Sequence, residues 1–161
     1  THALHRGVPF DIEGMARRPT TLIADGVAQG SLRSFRWGDS PSGHRSLDAQ
    51  WREAESAQYL VLDGGDTPFS DLVGSTERGV LVSRLSVAEL LDPKTALVSA
   101  TTRDGTFLIE NGEPTKQLEP LSFTVSVLDV LRSISGMTAS TWANDVVAPA
   151  VMTRMPLWHP G

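Results

Sequence analysis

Two turn dipeptides constrain the fold of this chain more than any other feature of its sequence. Asp25 and Gly26 interrupt the run TTLIADGVAQGSLRSF, and Asn111 and Gly112 interrupt the run GTFLIENGEPTKQL. An Asp-Gly or Asn-Gly pair readily adopts the positive φ angles of a tight primed turn, and the β-branched and apolar residues on either side favour strands. Each run therefore predicts a β-hairpin, and two hairpins indicate mainly antiparallel sheets.

Further strands and one exposed loop are predicted between the hairpins. The segments AQYLVLDGG (residues 57–65) and GVLVSRLS (residues 79–86) contain the short apolar runs that are typical of strands. Residues 38–56 are polar and rich in turn-forming residues, which predicts an exposed loop with a short helical piece around Trp51. Because no shift in composition marks an internal boundary, residues 1–161 are predicted to form a single domain.

The first predicted helix follows the segment DGGDTP. Thr67 is its expected N-cap, Pro68 occupies the first helical position, and Gly79 ends the helix. The two glycines before a helix suggest an anion cradle, but their spacing matches neither common phosphate-binding motif, and Asp63 and Asp66 would repel a phosphate. We therefore interpret DGGDTP as a strand-to-helix turn.

The second predicted helix covers residues 127–135, where apolar residues recur at helical spacing. Ser126 and Asp129 form the expected capping pair, and Gly136 ends the helix. The predicted fold class is therefore α+β: mainly antiparallel β, either barrel-like or a curved sheet, with two or three short helices.

Composition excludes several classes of function. The formal net charge is −5, from 19 acidic and 14 basic residues, so no dense basic surface for nucleic acid is expected. No apolar run approaches the roughly 20 residues that a membrane-spanning helix needs. The sequence has no cysteine, which excludes disulfides and thiol ligands and fits a cytoplasmic protein.

The segment PFDIEG contains the acidic pair most suited to chemistry. Asp11 and Glu13 could serve as general acid and base if burial separated their pKa values. Asp-x-Glu-Gly, with Gly14 last, also suits a turn in which a carboxylate accepts backbone N–H groups. The turn is the favoured interpretation.

His2 and His5 are the candidate metal ligands, since three-residue spacing places two imidazoles on one face of a helix. Asp11 or Glu13 would have to complete the set. A zinc site needs three or four ligands held in place, and two histidines near a terminus are poorly held. For the same reason, a small hydrolase that uses these four residues ranks last among the possible functions.

The order of the motifs resembles the C-terminal domain of the TldD/PmbA family, also called TldD/TldE and once described as modulators of DNA gyrase. The resemblance rests on the segments PFDIEG, ARRPTTLIADGVAQGSL, LDGGDTPFSDLVGSTERGVLVSRL, DPKTALVSATTRDGTFLIENGE and SVLDVLRSI. It covers most of the chain, from about Pro9 to Ile134. Asp11, Glu13 and Gly14 match the loop motif of the family, which implies a candidate substrate loop there or, alternatively, a loop that only braces the barrel.

The resemblance implies a place in a peptidase assembly. TldD-type subunits resemble zinc metallopeptidases, with an H-E-x-x-x-H helix in the preceding part of the chain and a cysteine ligand near the C-terminus. TldE/PmbA-type partners lack these ligands and pair with the TldD subunit around unfolded peptides. Since this sequence has neither H-E-x-x-x-H nor cysteine, it resembles the PmbA/TldE type, and an N-terminal half is expected to precede it.

The predicted function is therefore to bind extended peptide and to assemble with a TldD-like subunit or a second copy, without a complete zinc site in this chain. Zinc is expected only in the partner or in the preceding half. TFLIENGE and YLVLDGG are the candidate edge strands for the peptide. The alternative is a stand-alone module that binds peptides or a partner protein and has no peptidase activity.

Overall fold

The computed structural model describes residues 7–32, 42–47, 51, 53–55, 57, 59–143, 146–155 and 159–160. Packing divides the chain into two compact units. Unit 1 comprises Thr1–Asp63 and Ser140–Ala148, and unit 2 comprises Gly64–Ala139 and Pro149–Gly161. Each unit contains its own strand pairs, and the prediction of a single domain stays a prediction.

The elements are mostly short strands. In chain order they are β1 (Ile23–Ala24), β2 (Val27–Ala28), β3 (Arg45–Leu47), β4 (Glu53–Glu55), α1 (Phe69–Gly74), β5 (Arg78–Val82), β6 (Leu85–Asp92), β7 (Leu97–Thr102), β8 (Thr106–Glu110), β9 (Glu113–Gln117), β10 (Leu121–Ser126), α2 (Val127–Arg132), β11 (Ile134–Met137), β12 (Thr141–Ala143), β13 (Val146–Ala148), β14 (Val151–Thr153) and β15 (His159–Pro160).

Unit 1 consists of small antiparallel pairs. The predicted first hairpin is confirmed: β1 pairs with β2, and Asp25 and Gly26 between them have φ angles of 50° and 76°. Strand β12 pairs with β13 in the same way. The core residue of this unit is Val147, which is fully buried.

The prediction of an exposed loop over residues 38–56 is wrong about the loop in the part that the structure describes, and it is confirmed in exposure only for Leu47, Trp51 and Glu53. Strands β3 and β4 form an antiparallel hairpin there. Ser42, Arg45 and Ser46 are buried, and the backbone N–H of Arg45 donates to the carboxylate of Asp11. The helical piece expected around Trp51 lies mostly outside the described residues, and Trp51 itself has a positive φ of 60°, which is not helical.

The strand predicted over residues 57–65 is reduced to a single parallel bridge between Val61 and Val147. The backbone N–H of Leu62 donates to the carbonyl of Val147 at 2.8 Å, and the N–H of Val147 donates to the carbonyl of Leu60 at 3.0 Å. The apolar run YLVL thus follows the backbone of β13 without forming a strand of its own.

Unit 2 contains the larger sheets, all antiparallel. One has the order β15–β10–β7–β6, a second has the order β5–β8–β9, and β11 pairs with β14. Among the residues of this unit whose burial is described, the buried apolar ones are Leu72, Ala100, Ile109 and Val125. The predicted strand over residues 79–86 is in fact parts of two strands in different sheets, because β5 ends at Val82 and β6 begins at Leu85.

The second predicted hairpin is confirmed by β8 and β9. Asn111 and Gly112 have φ angles of 52° and 82°. Their turn lies against the end of α1: Asn111 N–H donates to the carbonyl of Glu77 at 2.7 Å, and Gly112 N–H donates to that of Thr76 at 2.9 Å. A Cβ atom on Gly112 would lie 2.6 Å from the carbonyl oxygen of Gly74, so glycine is required both for φ and for space.

Helix α1 is shorter than predicted. Pro68 is its N-cap, not Thr67, and the helix ends at Gly74 because β5 begins at Arg78. The preceding segment DGGDTP is not the predicted strand-to-helix turn, because residues 62–68 form neither a strand nor a turn, and it runs beside Met137. Gly65 N–H donates to the carbonyl of Thr138 at 2.9 Å, and the lack of a side chain at Gly65 permits this approach.

Helix α2 is also shorter than predicted, ending at Arg132. Ser126 is its N-cap as predicted, but the expected capping bonds between Ser126 and Asp129 and the backbone are not formed. The hydroxyl of Ser126 donates to the carbonyl of Thr95 at 2.9 Å, and Asp129 pairs with Arg132 at 3.3 Å. Gly136, the predicted helix stop, lies within β11. Ile134, which helical spacing alone would place in the last turn of α2, instead pairs with Thr153 of β14.

The predicted fold class is confirmed: the chain is α+β and mainly antiparallel β. The described residues contain two short helices, and none of their sheets closes into a barrel, so the barrel-like option is wrong. No helix in the described part of the chain is long and apolar enough to cross a membrane.

Candidate functional site

The predicted substrate loop is a turn built around the carboxylate of Asp11. Oδ1 of Asp11 accepts the backbone N–H groups of Glu13 at 2.9 Å and of Met15 at 3.0 Å. Oδ2 accepts the backbone N–H of Arg45 at 3.1 Å. Gly14 has a φ of 75°, a left-handed conformation that glycine adopts without strain. The predicted turn, in which a carboxylate accepts backbone N–H groups, is confirmed.

These hydrogen bonds set the charge state of Asp11, whose side chain is buried. Burial by itself raises the pKa of this carboxyl group. The backbone N–H donors and the positive charge of Arg17 outweigh burial, so the pKa of Asp11 lies below its usual value. Since three backbone donors bind its two oxygens, Asp11 is held as a structural anion.

Glu13 lies on the other side of the same turn and contacts the buried guanidinium of Arg45. Its Oε1 lies 3.4 Å from Nε of Arg45, while Glu53 Oε2 lies 2.9 Å from Nη2 of the same arginine. The second oxygen of Glu13, Oε2, is buried and has no hydrogen-bond partner within the described residues. One buried arginine is thus shared between two carboxylates, which fastens the loop to the β3–β4 hairpin.

Arg17 closes the loop at its far end. Its guanidinium stacks 4.7 Å above the ring of Tyr59, and its Nε–H donates to the carbonyl of Phe10 at 3.2 Å. His44 Nε2 lies 3.0 Å from the carbonyl oxygen of Arg18, and its Nδ1 lies 3.4 Å from Nη1 of Arg17. A proton on Nε2 of His44 satisfies both contacts.

The predicted metal site lies outside the described residues, since residues 1–6 are not among them and His2 and His5 belong to that range. Within the described residues, no three His, Asp or Glu side chains are placed to hold a metal ion. Asp11 and Glu13 are already engaged by backbone N–H groups and by Arg45. The described residues therefore do not fit a zinc ion, and no catalytic step through zinc follows from them.

The sequence reasoning missed a second candidate site, the open edge of β6 in unit 2. This strand of eight residues ends the four-stranded sheet, and it pairs on its inner side with β7. No other described strand pairs with its outer side. Alternating apolar residues in LSVAELLD could have indicated a strand, but Ala, Glu and Leu also favour helices, so the pattern was ambiguous.

The two faces of β6 differ in character. Residues directly opposite each other in an antiparallel pair share one face of the sheet. Ala88 lies opposite Ala100 and Leu90 opposite Val98, on the face that holds the buried Ala100. Glu89 lies opposite Ser99, on the other face, which also holds Leu97 and Thr101 of β7. Leu90 is 57% exposed, so the apolar face extends outward to the open edge.

The edge strands predicted from sequence are wrong. TFLIE forms β8, the central strand of its sheet, and YLVL forms no strand. Strand β9, at one edge of the same sheet, contains Pro114 and Lys116, residues that discourage further strand pairing. The described part of β6 has neither residue type and is longer.

The chain matches a known protein family over most of its length. The family described as the PmbA/TldA metallopeptidase C-terminal domain matches residues 2–155. The chain belongs to this family. The TldD/PmbA resemblance drawn from the sequence motifs is therefore confirmed.

Individual known proteins resemble the chain in sequence or in fold. A metalloprotease of Methanothermobacter thermautotrophicus is 25% identical over 132 residues, which is 80% of this chain and 29% of that protein. The crystal structure of TldE from Thermococcus kodakarensis matches with a TM-score of 0.75 at 23% identity, over 89% of this chain and 34% of TldE. A structure described as a putative modulator of a DNA gyrase, from Thermotoga maritima, matches with a TM-score of 0.67 at 22% identity, over 91% of this chain and 34% of that protein. The chain thus spans about a third of the length of these relatives.

Proposed function

We propose that this C-terminal domain binds extended, unfolded peptide for a metallopeptidase assembly, and that the open edge of β6 adds the peptide as a further strand. The zinc would be held by a TldD-like partner subunit or by another part of the intact protein. The observation that carries the proposal is the combination of a long edge strand with an exposed apolar face.

The geometry of β6 supports strand addition over a defined length. Val87, Ala88, Glu89 and Leu90 pair in unbroken register with β7, and the register shifts on either side of this run. Such shifts mark bulges, which bend a strand and end regular pairing. An edge strand offers backbone N–H and C=O groups that bind a peptide independently of its side chains. The regular run between the bulges defines the short segment over which a peptide would pair.

The test is peptide binding measured by fluorescence anisotropy. The probe is a labelled peptide of about eight residues with alternating Val and Thr, long enough to cover the regular run. Two further versions carry N-methyl groups on the Val residues or on the Thr residues. Because the apolar face of β6 fixes which side chains of the peptide point to that face, only one set of N–H groups can face the strand. We expect one methylated peptide to bind at least about fivefold more weakly and the other to bind normally.

A matched pair of protein variants locates the site. Leu90→Lys places a charge on the apolar face of β6, whereas Leu128→Lys changes a side chain on α2 that is 41% exposed. We expect Leu90→Lys to weaken binding about fivefold and Leu128→Lys to leave it unchanged. Equal effects of the two variants, or equal binding of all three peptides, would contradict the proposal.

A further inference from the structure

The polar face of the β6 edge carries two carboxylates. Glu89 lies opposite Ser99 and Asp92 opposite Leu97, two β7 residues that share one face of the sheet. Leu91 is bulged out of the register, so Glu89 and Asp92 are separated by one paired position, that of Leu90. Two such positions correspond to about 7 Å along a strand.

Both carboxylates face a neutral surface. The residues on the same face of β7 and β10 include Leu97, Ser99, Thr101 and Thr124, none of them charged. The ion pairs in the described part of unit 2 join Arg84, Arg103 and Arg132 to Asp104 and Asp129, and none includes Glu89.

Asp92 keeps its charge for a separate reason. Its Oδ2 accepts the hydroxyl of Thr95 at 2.7 Å, and its Oδ1 accepts the backbone N–H of Lys94 at 2.9 Å. These bonds hold the pKa of Asp92 below its usual value. The edge therefore has an apolar side, with Ala88 and Leu90, and an acidic side.

We propose that this edge selects extended segments in which basic side chains alternate with apolar ones. An added strand places successive side chains on opposite faces, so its apolar residues would meet Leu90 and Ala88 while its Lys or Arg residues would meet Glu89 and Asp92. The inference rests on the proposed function, since it names the class of peptide that the β6 edge takes.

The test compares two labelled peptides of equal length, one alternating Val and Lys and the other alternating Val and Glu. They are measured against the unmodified chain, Glu89→Gln and Glu113→Gln. The two variants change the overall charge of −5 by the same amount, but Glu113 lies on β9 and not on β6. Comparing them therefore separates an effect of the local field at β6 from an effect of overall charge.

We expect the Val/Lys peptide to bind roughly tenfold more tightly than the Val/Glu peptide at low salt, and Glu89→Gln to reduce this ratio to about threefold. Glu113→Gln should leave the ratio unchanged. Equal affinity for the two peptides, or equal ratios in the two variants, would overturn the inference while N-methyl-sensitive binding still upheld strand addition. Absence of binding by every peptide would overturn both.

Discussion

The carboxylate of Asp11 accepts the backbone N–H of Arg45 at 3.1 Å, although 34 positions separate the two residues along the chain. The same carboxylate closes its own turn through Glu13 and Met15. The side chain of Asp11 thus joins a local turn to a distant hairpin. The guanidinium of Arg45 adds a second link, an ion pair with Glu13 of the same turn. Asp11 and Glu13, the pair that most resembled a general acid and base, instead bind two segments of unit 1 to each other.

Removing the charge of Asp11 should destabilise unit 1. We expect Asp11→Asn to lower the free energy of unfolding by about 1–3 kcal/mol, because an amide cannot accept three backbone N–H groups as well as a carboxylate does and because it brings donors of its own. Urea unfolding followed by circular dichroism measures the change. Asp66→Asn, at an exposed position, is the control and should shift the midpoint little. Equal shifts would show that Asp11 has no special structural role.

The contribution of Asp11 should depend on pH in a defined direction. Its pKa in the folded state lies below its usual value, so the stabilisation is complete above about pH 4 and is lost as the pH falls through the folded pKa. The difference in urea midpoint between the unmodified chain and Asp11→Asn should therefore be constant near neutral pH and shrink below about pH 4. Asp92 titrates in the same direction but is present in both proteins, so it cancels in this difference. A difference that grew on acidification would contradict the assignment.

Arg45 should be far more sensitive to replacement than an exposed arginine. Arg45→Met removes the cation that Glu13 and Glu53 share, and it leaves buried carboxylate oxygen without a counter-charge. We expect a loss of about 3–5 kcal/mol, against less than about 1 kcal/mol for Arg84→Met, whose side chain is 67% exposed. Thermal or urea unfolding of the two variants makes the comparison. Similar losses would mean that the ion pairs of Arg45 contribute no more than those at the surface.

Two glycines with the same backbone conformation should respond differently to alanine. Gly26 and Gly112 have φ angles of 76° and 82°, so both substitutions introduce left-handed strain of about 1–2 kcal/mol. A Cβ atom on Gly26 meets nothing within 4 Å, whereas one on Gly112 lies 2.6 Å from the carbonyl oxygen of Gly74. Gly112→Ala should therefore destabilise the protein by at least about 1 kcal/mol more than Gly26→Ala. Equal losses of stability in the two variants would show that α1 shifts to accommodate the added methyl group at no cost in free energy.

Local chemistry determined much of this structure from the sequence alone. Asp25 with Gly26, and Asn111 with Gly112, form the turns that their sequence predicts, because turn geometry depends on the φ and ψ angles of two residues. The turn around Asp11 follows for the same reason, since its first two N–H donors lie within four residues. Membership of the family was likewise predicted from motifs along the chain, and it is confirmed.

Only the tertiary structure decided the rest. The lengths of α1 and α2 are set by the strands that follow them, since residues compatible with either state take the one that pairs. Arg45 is buried where the distant carboxylate of Asp11 accepts its backbone N–H and the distant carboxylate of Glu13 pairs with its guanidinium, and no local pattern in residues 38–56 carries that information. The status of β6 as an open edge depends on which strands pair with β7. Strand order is a property of contacts between residues far apart in sequence, which periodicity along a single strand does not encode.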